Sequence, residues 1–119
     1  MNAVTLTEGE GRSKVSFKAE HFGGDIIVCI FNGNPHIGAV AVGEFDFTHQ
    51  RASVSILTRL GHKDDALAQS AAHDISKSTQ QPVCVIAGVH LDEVTLDEIK
   101  LIQENTRRLI ARFLAGWKT

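Results

Sequence analysis

Apolar and polar positions alternate with a period of two over the first half of the chain, a pattern typical of half-buried β-strands. The alternation is cleanest over 14–20, and a continuous apolar run of strand length follows over 26–31. Two further strands are predicted over 37–45 and 52–58. An Asn-Gly pair at 32–33 fits the type I′ turn of a β-hairpin. The first half therefore predicts an antiparallel meander of three or four strands.

The hydrophobic pattern changes to a helical period in the second half. A stripe made mostly of Ala predicts a helix over 64–78, and a wholly apolar run predicts a buried strand over 83–89. A capping box at 95–98 starts a long helix that ends at about residue 115. The strand–helix–strand piece indicates a crossover between two parallel strands. The element order β-β-β-β-α-β-α predicts an α+β fold, with a mixed sheet and two helices packed on one face.

The composition narrows the class of protein without selecting a function. A chain of 119 residues with a net charge of −2 and 43% hydrophobic residues is expected to form one globular domain. A nucleic-acid binder would carry a basic excess, and a disulfide scaffold would need more than two cysteines. No run reaches the roughly 20 apolar residues of a membrane span, and a secretory signal is missing, which favours the cytoplasm. We expect residues 1–12 to be a loose tail before a single domain over 13–119.

Polar residues follow both predicted parallel strands at the point where each meets a helix. The first such segment, 58–65, runs into a helix start, where free amides and the helix dipole attract anions such as phosphate. The second, 88–92, contains His90. Because the carboxyl ends of parallel strands meet at one sheet edge, His62 and His90 are expected to emerge together, with His36 as a third candidate. Plain surface exposure of these histidines is the alternative, and the other three histidines are interpreted as surface residues.

One face of the strand at 52–58 is unusually small and polar. Ser53 and Ser55 point to one side, together with Ala39 and Ala41 if those two share that face. Such a floor predicts a shallow platform for a planar ligand or a second subunit, with solvent exposure as the alternative. The two glycines of 38–43 are compatible with close approach of a flat ligand or of another backbone. Motifs of common hydrolase, zinc and nucleotide sites are missing from the chain.

Three segments, 36–43, 57–65 and 82–92, resemble a known family in their order and spacing. They are similar to the small D-type (LpdD-like) accessory proteins of gallate-decarboxylase systems, which are prenylated-flavin chaperones of UbiD-like decarboxylases. The most specific parts are a Gly-His-Lys-Asp-Asp block in the second segment and a Gly-x-His-x-Asp block in the third. The resemblance covers roughly residues 14–115.

The resemblance implies a cofactor chaperone rather than an enzyme. Such a protein binds prenylated FMN, made by a flavin prenyltransferase, and passes it to an apo UbiD-like decarboxylase. It also implies a fold similar to proteasome-assembly-chaperone domains, often as a homodimer. The cofactor-binding residues implied in this way are His36, Gly38, Ser53, Ser55, Thr58, Gly61, His62, Lys63, Asp64, Gly88 and His90, with Asp92 at the border.

Distinct roles are implied for these residues. His62, Lys63 and Asp64 would meet the phosphate end of the cofactor, and Gly61 would permit close approach. Gly88 and His90 would border the same pocket. The flavin platform would be lined by His36, Gly38, Ser53 and Ser55.

Two other classes of function stay open on the residues alone. One is a protein-interaction module, an assembly chaperone that binds no flavin, which an exposed apolar face on the long helix would favour. The other is a small enzyme that uses His62 and His90 as an acid–base pair or as metal ligands, which a metal bonded to both would favour.

Overall fold

The computed structural model describes residues 3–61 and 64–117, in which six strands form one mixed sheet with two helices on one face. The strands are β1 (Val4–Glu8), β2 (Val15–Phe22), β3 (Asp25–Phe31), β4 (Ala39–Asp46), β5 (Arg51–Thr58) and β6 (Val83–Gly88). The helices are α1 (Asp65–Thr79) and α2 (Leu96–Ala115), and a short 3-10 turn spans Gly11–Ser13. The predicted α+β class is confirmed, and each predicted helix is found within two residues of its expected ends.

The order of the strands across the sheet is β1-β2-β3-β6-β4-β5. β6 is parallel to β3, whereas β4 is antiparallel to both β5 and β6. β5 and β6 therefore run in the same direction, as the crossover predicted, with β4 between them. The predicted continuous meander is wrong between β3 and β4, because β6 lies between these two strands. A strand that is apolar on both faces is best covered in the interior of a sheet, which β6 occupies here.

The Asn-Gly pair at 32–33 does not close a hairpin. The segment 32–38 instead passes the end of β6 to reach β4, and the Gly38 amide donates a hydrogen bond to the Ala87 carbonyl at 2.9 Å. The Asn-Gly pair therefore lies in a longer connection between two strands, β3 and β4, that are not neighbours in the sheet.

The N-terminal segment is more ordered than expected. Residues 4–8, which we predicted to belong to a loose tail, form the edge strand β1 and pair with β2. Leu6 packs against the core, so this strand also follows the period-two pattern. The Asn105 side chain, which is buried, donates to the Ser13 carbonyl at 2.9 Å and fixes the connection between β1 and β2 on α2.

The core lies between the sheet and the helices. α1 packs on β4, β5 and β6, whereas α2 packs on β1 and β2, where the Phe17 and Phe113 ring centroids lie 5.4 Å apart. The Ala stripe lets α1 approach closely, since a Cβ at Gly43 would overlap with the Ala72 carbonyl oxygen. Close approach of another backbone therefore explains this strand glycine. None of the described helices is long and apolar enough to cross a membrane.

The capping box predicted at the start of α2 is confirmed. The Glu98 amide donates to Thr95 Oγ1 at 3.1 Å, and the Thr95 amide donates to Glu98 Oε1 at 3.0 Å. Arg12 Nε adds a hydrogen bond to Glu98 Oε2 at 2.7 Å. The Arg12 side chain is the largest cause that lowers the pKa of Glu98 from 4.5 to about 2, followed by the Thr95 amide.

We expect the stability difference between the wild type and Glu98→Gln to shrink in acid. Gln keeps the capping-box geometry but cannot form the ion pair with Arg12. Because the folded-state pKa is depressed, the pair stabilises the fold fully above about pH 4.5 and loses its contribution as the pH falls to about 2. Urea denaturation of both proteins over this pH range measures the difference, and a difference independent of pH would contradict the expectation.

Candidate functional site

The candidate site lies at the edge of the sheet where β5 and β6 end and β4 begins. Ala39 pairs with Thr58 on one side and with Ala87 on the other. Gly38 and Gly88 are the neighbours of Ala39 and Ala87 in the chain, so this edge also brings both glycines together. The expected meeting of the two strand ends is confirmed, with the start of β4 between them.

A cavity of about 410 Å³ opens beside this edge, between the start of α1, the loop after β6 and the first turns of α2. Its volume falls within the range of roughly 300–1,000 Å³ typical of small-molecule sites. Its walls include Ala66 and Leu67 from α1, Val89 and Leu91 from the loop, and Ile99 and Ile102 from α2. The cavity therefore combines an aliphatic wall with the N-terminal end of a helix.

The start of α1 contributes a helix N-terminus to this cavity, beside the Asp64 side chain that also lines it. The first hydrogen bond of the helix runs from the Ala68 amide to the Asp64 carbonyl at 3.1 Å. The amides of residues 65–67 precede that bond and have no acceptor within the helix. Since Ala66 and Leu67 line the cavity, the positive end of the helix dipole faces it, and this end favours anions.

Three of the predicted site residues, Gly61, Asp64 and His90, line this cavity. Gly61 adopts a left-handed backbone with φ of 77°, which a glycine accepts without strain. The predicted phosphate contacts of His62 and Lys63 lie outside the described residues. In the part of the chain that the structure describes, no three His, Cys, Asp or Glu side chains are grouped as a metal site requires.

The backbone of His90 is held by Asn32. Asn32 Nδ2 donates to the His90 carbonyl at 2.7 Å, and the His90 amide donates to Asn32 Oδ1 at 3.4 Å. The exposed imidazole lies 3.0 Å from Asp92 Oδ1 through its Nε2 atom. His90 and Leu91 also line a second cavity of about 600 Å³, so this loop separates the two. Sequence analysis missed Asn32 because the Asn-Gly pair was interpreted as a hairpin turn.

Asp64 is buried at the centre of this edge, with 4% of its surface exposed. Its Oδ1 atom accepts a hydrogen bond from the Val89 amide at 2.9 Å, and its Oδ2 atom lies 4.0 Å from His36 Nε2. The other ring nitrogen of His36 donates to the Asn34 carbonyl at 2.8 Å. Asp64 therefore joins the start of α1 to the end of β6 and to the segment before β4.

Gly38 and Gly88 are required by this packing. A Cβ at Gly38 would overlap with Asp64 Oδ2 and lie 2.9 Å from the Ala87 carbonyl oxygen. A Cβ at Gly88 would overlap with the His36 carbonyl oxygen and lie 2.7 Å from its carbon. The two glycines thus allow close contact at the base of the site.

Ser53 and Ser55 lie away from the cavity. Ser55 pairs with Val42 and Ser53 with Glu44. Ser55 precedes Thr58 by three residues and Ser53 by five, which corresponds to roughly 10 and 17 Å along the strand. The structure therefore does not bring the two serines together with the cavity residues Gly61, Asp64 and His90.

The sheet face that the helices leave uncovered, here called the open face, is more apolar than expected. Its apolar side chains include Phe22, Ile27, Cys29, Phe31, Val40, Val42, Leu57, Cys84 and Ile86. Ala39 and Ala41, which we considered as partners of the serines, are fully buried beneath the helices instead. Because side chains alternate along a strand, Val40 and Val42 share the open face with Ser55. The predicted floor of small residues is therefore wrong.

Both cysteines belong to the open face rather than to the core. Each is half-buried, and burial is the largest cause that raises the pKa of Cys29 and of Cys84. The two side chains therefore remain neutral thiols at neutral pH. They act as small apolar residues on this face.

Sequence analysis also missed the contribution of α2 to the cavity. Val94 lies just before this helix, and Ile99 lies in its first turns; both line the cavity while staying partly exposed. Leu96, at the start of α2, is also exposed, and Leu60, next to Gly61 in the chain, is exposed completely. The sequence signal for this contribution is the presence of apolar residues at the start of α2 that are not part of the buried core.

The fold and the site together define a small α+β domain that presents an open cavity and an uncovered apolar sheet face. The chain matches the family model of the prenylated flavin chaperone LpdD-like domain over residues 9–118 and belongs to this family. The resemblance drawn from the sequence is thereby confirmed. Membership implies an accessory, chaperone role rather than an enzymatic one. A search of curated proteins gave no match.

A solved structure supports the fold. A chain in the crystal structure of a chaperone complex for yeast 20S proteasome assembly matches with a TM-score of 0.60 and 16% sequence identity. The alignment covers 97% of this chain and 94% of that chain. At this identity the likeness concerns the fold, and it confirms the predicted proteasome-assembly-chaperone-like architecture.

Proposed function

We propose that this protein binds prenylated FMN in the cavity at the sheet edge and passes it to an apo UbiD-like decarboxylase of (hydroxy)arylic acids. The observation that carries the proposal is the cavity itself, which combines an aliphatic wall with the positive end of α1. Such a pair of surfaces suits a ligand with an apolar ring at one end and a phosphate at the other. Membership of the prenylated flavin chaperone family supports prenylated FMN as this ligand.

In this proposal the phosphate lies at the start of α1. The uncapped amides of residues 65–67 donate to it, and Gly61 lets the backbone approach. His62 and Lys63 add positive charge, which offsets the negative charge of the neighbouring Asp64 and Asp65 carboxylates. The phosphate position is therefore set by this one helix start.

The ring system lies against the aliphatic wall. Leu91, Ile99 and Ile102 supply contact area, and His90 borders this end. Gly88 and Thr58 lie at the sheet edge beside the cavity rather than in its lining. No Phe or Trp is among the described residues that line the cavity. A ring that is not stacked between aromatic side chains is released more readily, which suits a protein that must give its ligand away.

We further propose that two copies of the chain associate through the open face. Val42, at the centre of this face, is 50% exposed, and Leu57, at its edge, is 77% exposed. A contiguous apolar patch of this kind marks an interaction surface. Two sheets that meet face to face bury such side chains in a layer about 10 Å thick. Ser53 and Ser55 then belong to the border of this subunit contact rather than to a flavin platform.

Val42→Arg is expected to convert the dimer into a monomer, because an arginine at the centre of the open face would bury an unpaired charge. Sedimentation velocity measures the change in mass. Ala111→Arg, an exposed position on α2, is the matched control and is expected to leave the dimer intact. Equal masses for the wild type and Val42→Arg would contradict the proposed interface.

A protein-interaction role without flavin is the second candidate. The observation that favours it is the apolar surface that α2 leaves in solvent, with Leu96 77% and Leu101 51% exposed. An assembly chaperone would use this surface to hold its client and would need no ligand in the cavity.

A transfer assay separates the two candidates and tests the proposed delivery. The chain is co-expressed with a flavin prenyltransferase, desalted and mixed with an apo UbiD-like decarboxylase. We expect flavin absorbance to move with the decarboxylase on gel filtration and activity to appear. A stable complex of the two proteins that forms without any flavin, and without activation, would support the interaction module and contradict the proposal. Buffer from the desalting step serves as the control.

A further inference from the structure

We propose that Asp64 is a positioning residue, whose buried carboxylate holds the loop after β6 against the start of α1 and thereby fixes the two walls of the cavity. The loop contributes Val89, His90 and Leu91 to one wall, and α1 contributes Ala66 and Leu67 to the other. Asp64 belongs to the N-terminus of α1 yet accepts its hydrogen bond from Val89. Its carboxylate therefore links the two walls directly.

The Val89 amide needs this acceptor. The last residue of β6 in the sheet ladder is Gly88, which pairs with Phe31, so Val89 lies beyond the regular strand. Its amide is part-buried and points to Asp64 Oδ1 at 2.9 Å. A hydrogen bond to a carboxylate belongs to the stronger class, and a buried amide without one is costly.

The same bond leaves α1 without a side-chain cap. Asp is one of the preferred N-cap residues because its carboxylate normally accepts from the second or third amide of the helix. Asp64 occupies the N-cap position of α1 but makes no such bond, since its carboxylate is directed to the neighbouring strand end. The Asp64 carboxylate therefore does not cover the amides of the first turn and instead holds the end of β6.

The surrounding residues fit a fixed position for this carboxylate. Gly38 leaves the space that Oδ2 occupies, since a Cβ there would overlap with it. His36 approaches Oδ2 at 4.0 Å and is itself held by the Asn34 carbonyl. A side chain so enclosed on the strand side determines where the end of β6 lies relative to α1.

Amide hydrogen exchange at Val89 tests the hydrogen bond without any ligand. Asp64→Ala removes the acceptor, and we expect the Val89 amide to exchange roughly tenfold to a hundredfold faster, as the loss of a hydrogen bond to a charged acceptor implies. Asp64→Asn keeps an acceptor oxygen and is expected to stay near the wild-type rate. Asp65→Ala, which removes an exposed carboxylate one residue later, is the control. Unchanged exchange in Asp64→Ala would overturn the proposal.

The consequence for binding rests on the proposed function and is measured with FMN by calorimetry. We expect Asp64→Ala to bind FMN about tenfold more weakly, because the loop is no longer held. Asp64→Asn should bind FMN at least as tightly as the wild type, since it keeps the loop and removes a negative charge near the phosphate. If Asp64→Asn loses affinity as Asp64→Ala does while its Val89 amide stays protected, Asp64 acts through a direct contact with the ligand, which contradicts loop positioning as the cause of the binding effect.

Failure of the proposed function gives a different result. If the wild type binds no FMN, the exchange rates still decide whether Asp64 holds the loop. Asp64 then positions the loop regardless of which ligand the cavity binds. A Val89 amide that is protected in the wild type and in Asp64→Asn, and unprotected in Asp64→Ala, supports this role.

Discussion

Gly88→Ala is expected to lower the free energy of unfolding by about 3 kcal/mol, at the upper end of what added atoms in a packed site usually cost. The new Cβ would overlap with the His36 carbonyl oxygen and lie 2.7 Å from its carbon. These are backbone atoms, and His36 is held in place by the Asn34 carbonyl, so the strand end and the segment before β4 must separate. Urea denaturation of the purified variant measures this loss.

Gly33→Ala is the matched control for this substitution. Gly33 lies in the connection between β3 and β4, and a Cβ there would meet no atom within 4 Å. Its φ is not in the left-handed region, so we expect a change below about 0.5 kcal/mol. If Gly88→Ala proves as mild as Gly33→Ala, the close packing of β6 against the segment before β4 is wrong.

Ala66→Glu is expected to weaken the binding of FMN by roughly tenfold to a hundredfold, because it places a negative charge beside the phosphate. Ala66 is exposed, lies in the first turn of α1 and lines the cavity. An acidic residue in the first turn of a helix is compatible with the helix dipole, so the stability of the fold should be retained. Calorimetric titration with FMN and thermal denaturation of the same sample separate binding from folding.

Gln69→Glu provides the same change of charge one turn further along α1. Gln69 faces the groove between α1 and β5 rather than the cavity. We expect its affinity for FMN to change less than that of Ala66→Glu. Wild-type affinity in Ala66→Glu would show that the phosphate does not lie at the start of α1.

Local periodicity was sufficient to predict most elements of this fold. The Ala stripe of α1, the wholly apolar β6 and the capping box of α2 each identify their element within two residues of its ends. The strand order could not be predicted in the same way, because pairing joins residues far apart in the chain. β6 enters between β3 and β4, and the Asn-Gly pair at 32–33 carries no information on that insertion.

The candidate site was predictable only as far as strand direction determines it. The parallel course of β5 and β6 brings Gly61 and His90 to one edge, as expected. The direction of individual side chains depends on tertiary contacts, so the inward position of Asp64 was not predicted. The sequence also does not determine the face that Ala39 and Ala41 occupy, because sheet register decides it.

The central claim is that the chain retains prenylated FMN, and a direct binding measurement tests it best. Purified protein is titrated with reduced prenylated FMN, FMN and riboflavin under anaerobic conditions, with flavin absorbance and calorimetry as readouts. We expect the tightest binding for prenylated FMN, weaker binding for FMN and the weakest for riboflavin, which lacks the phosphate. Retention of none of the three flavins would contradict the proposed cofactor binding.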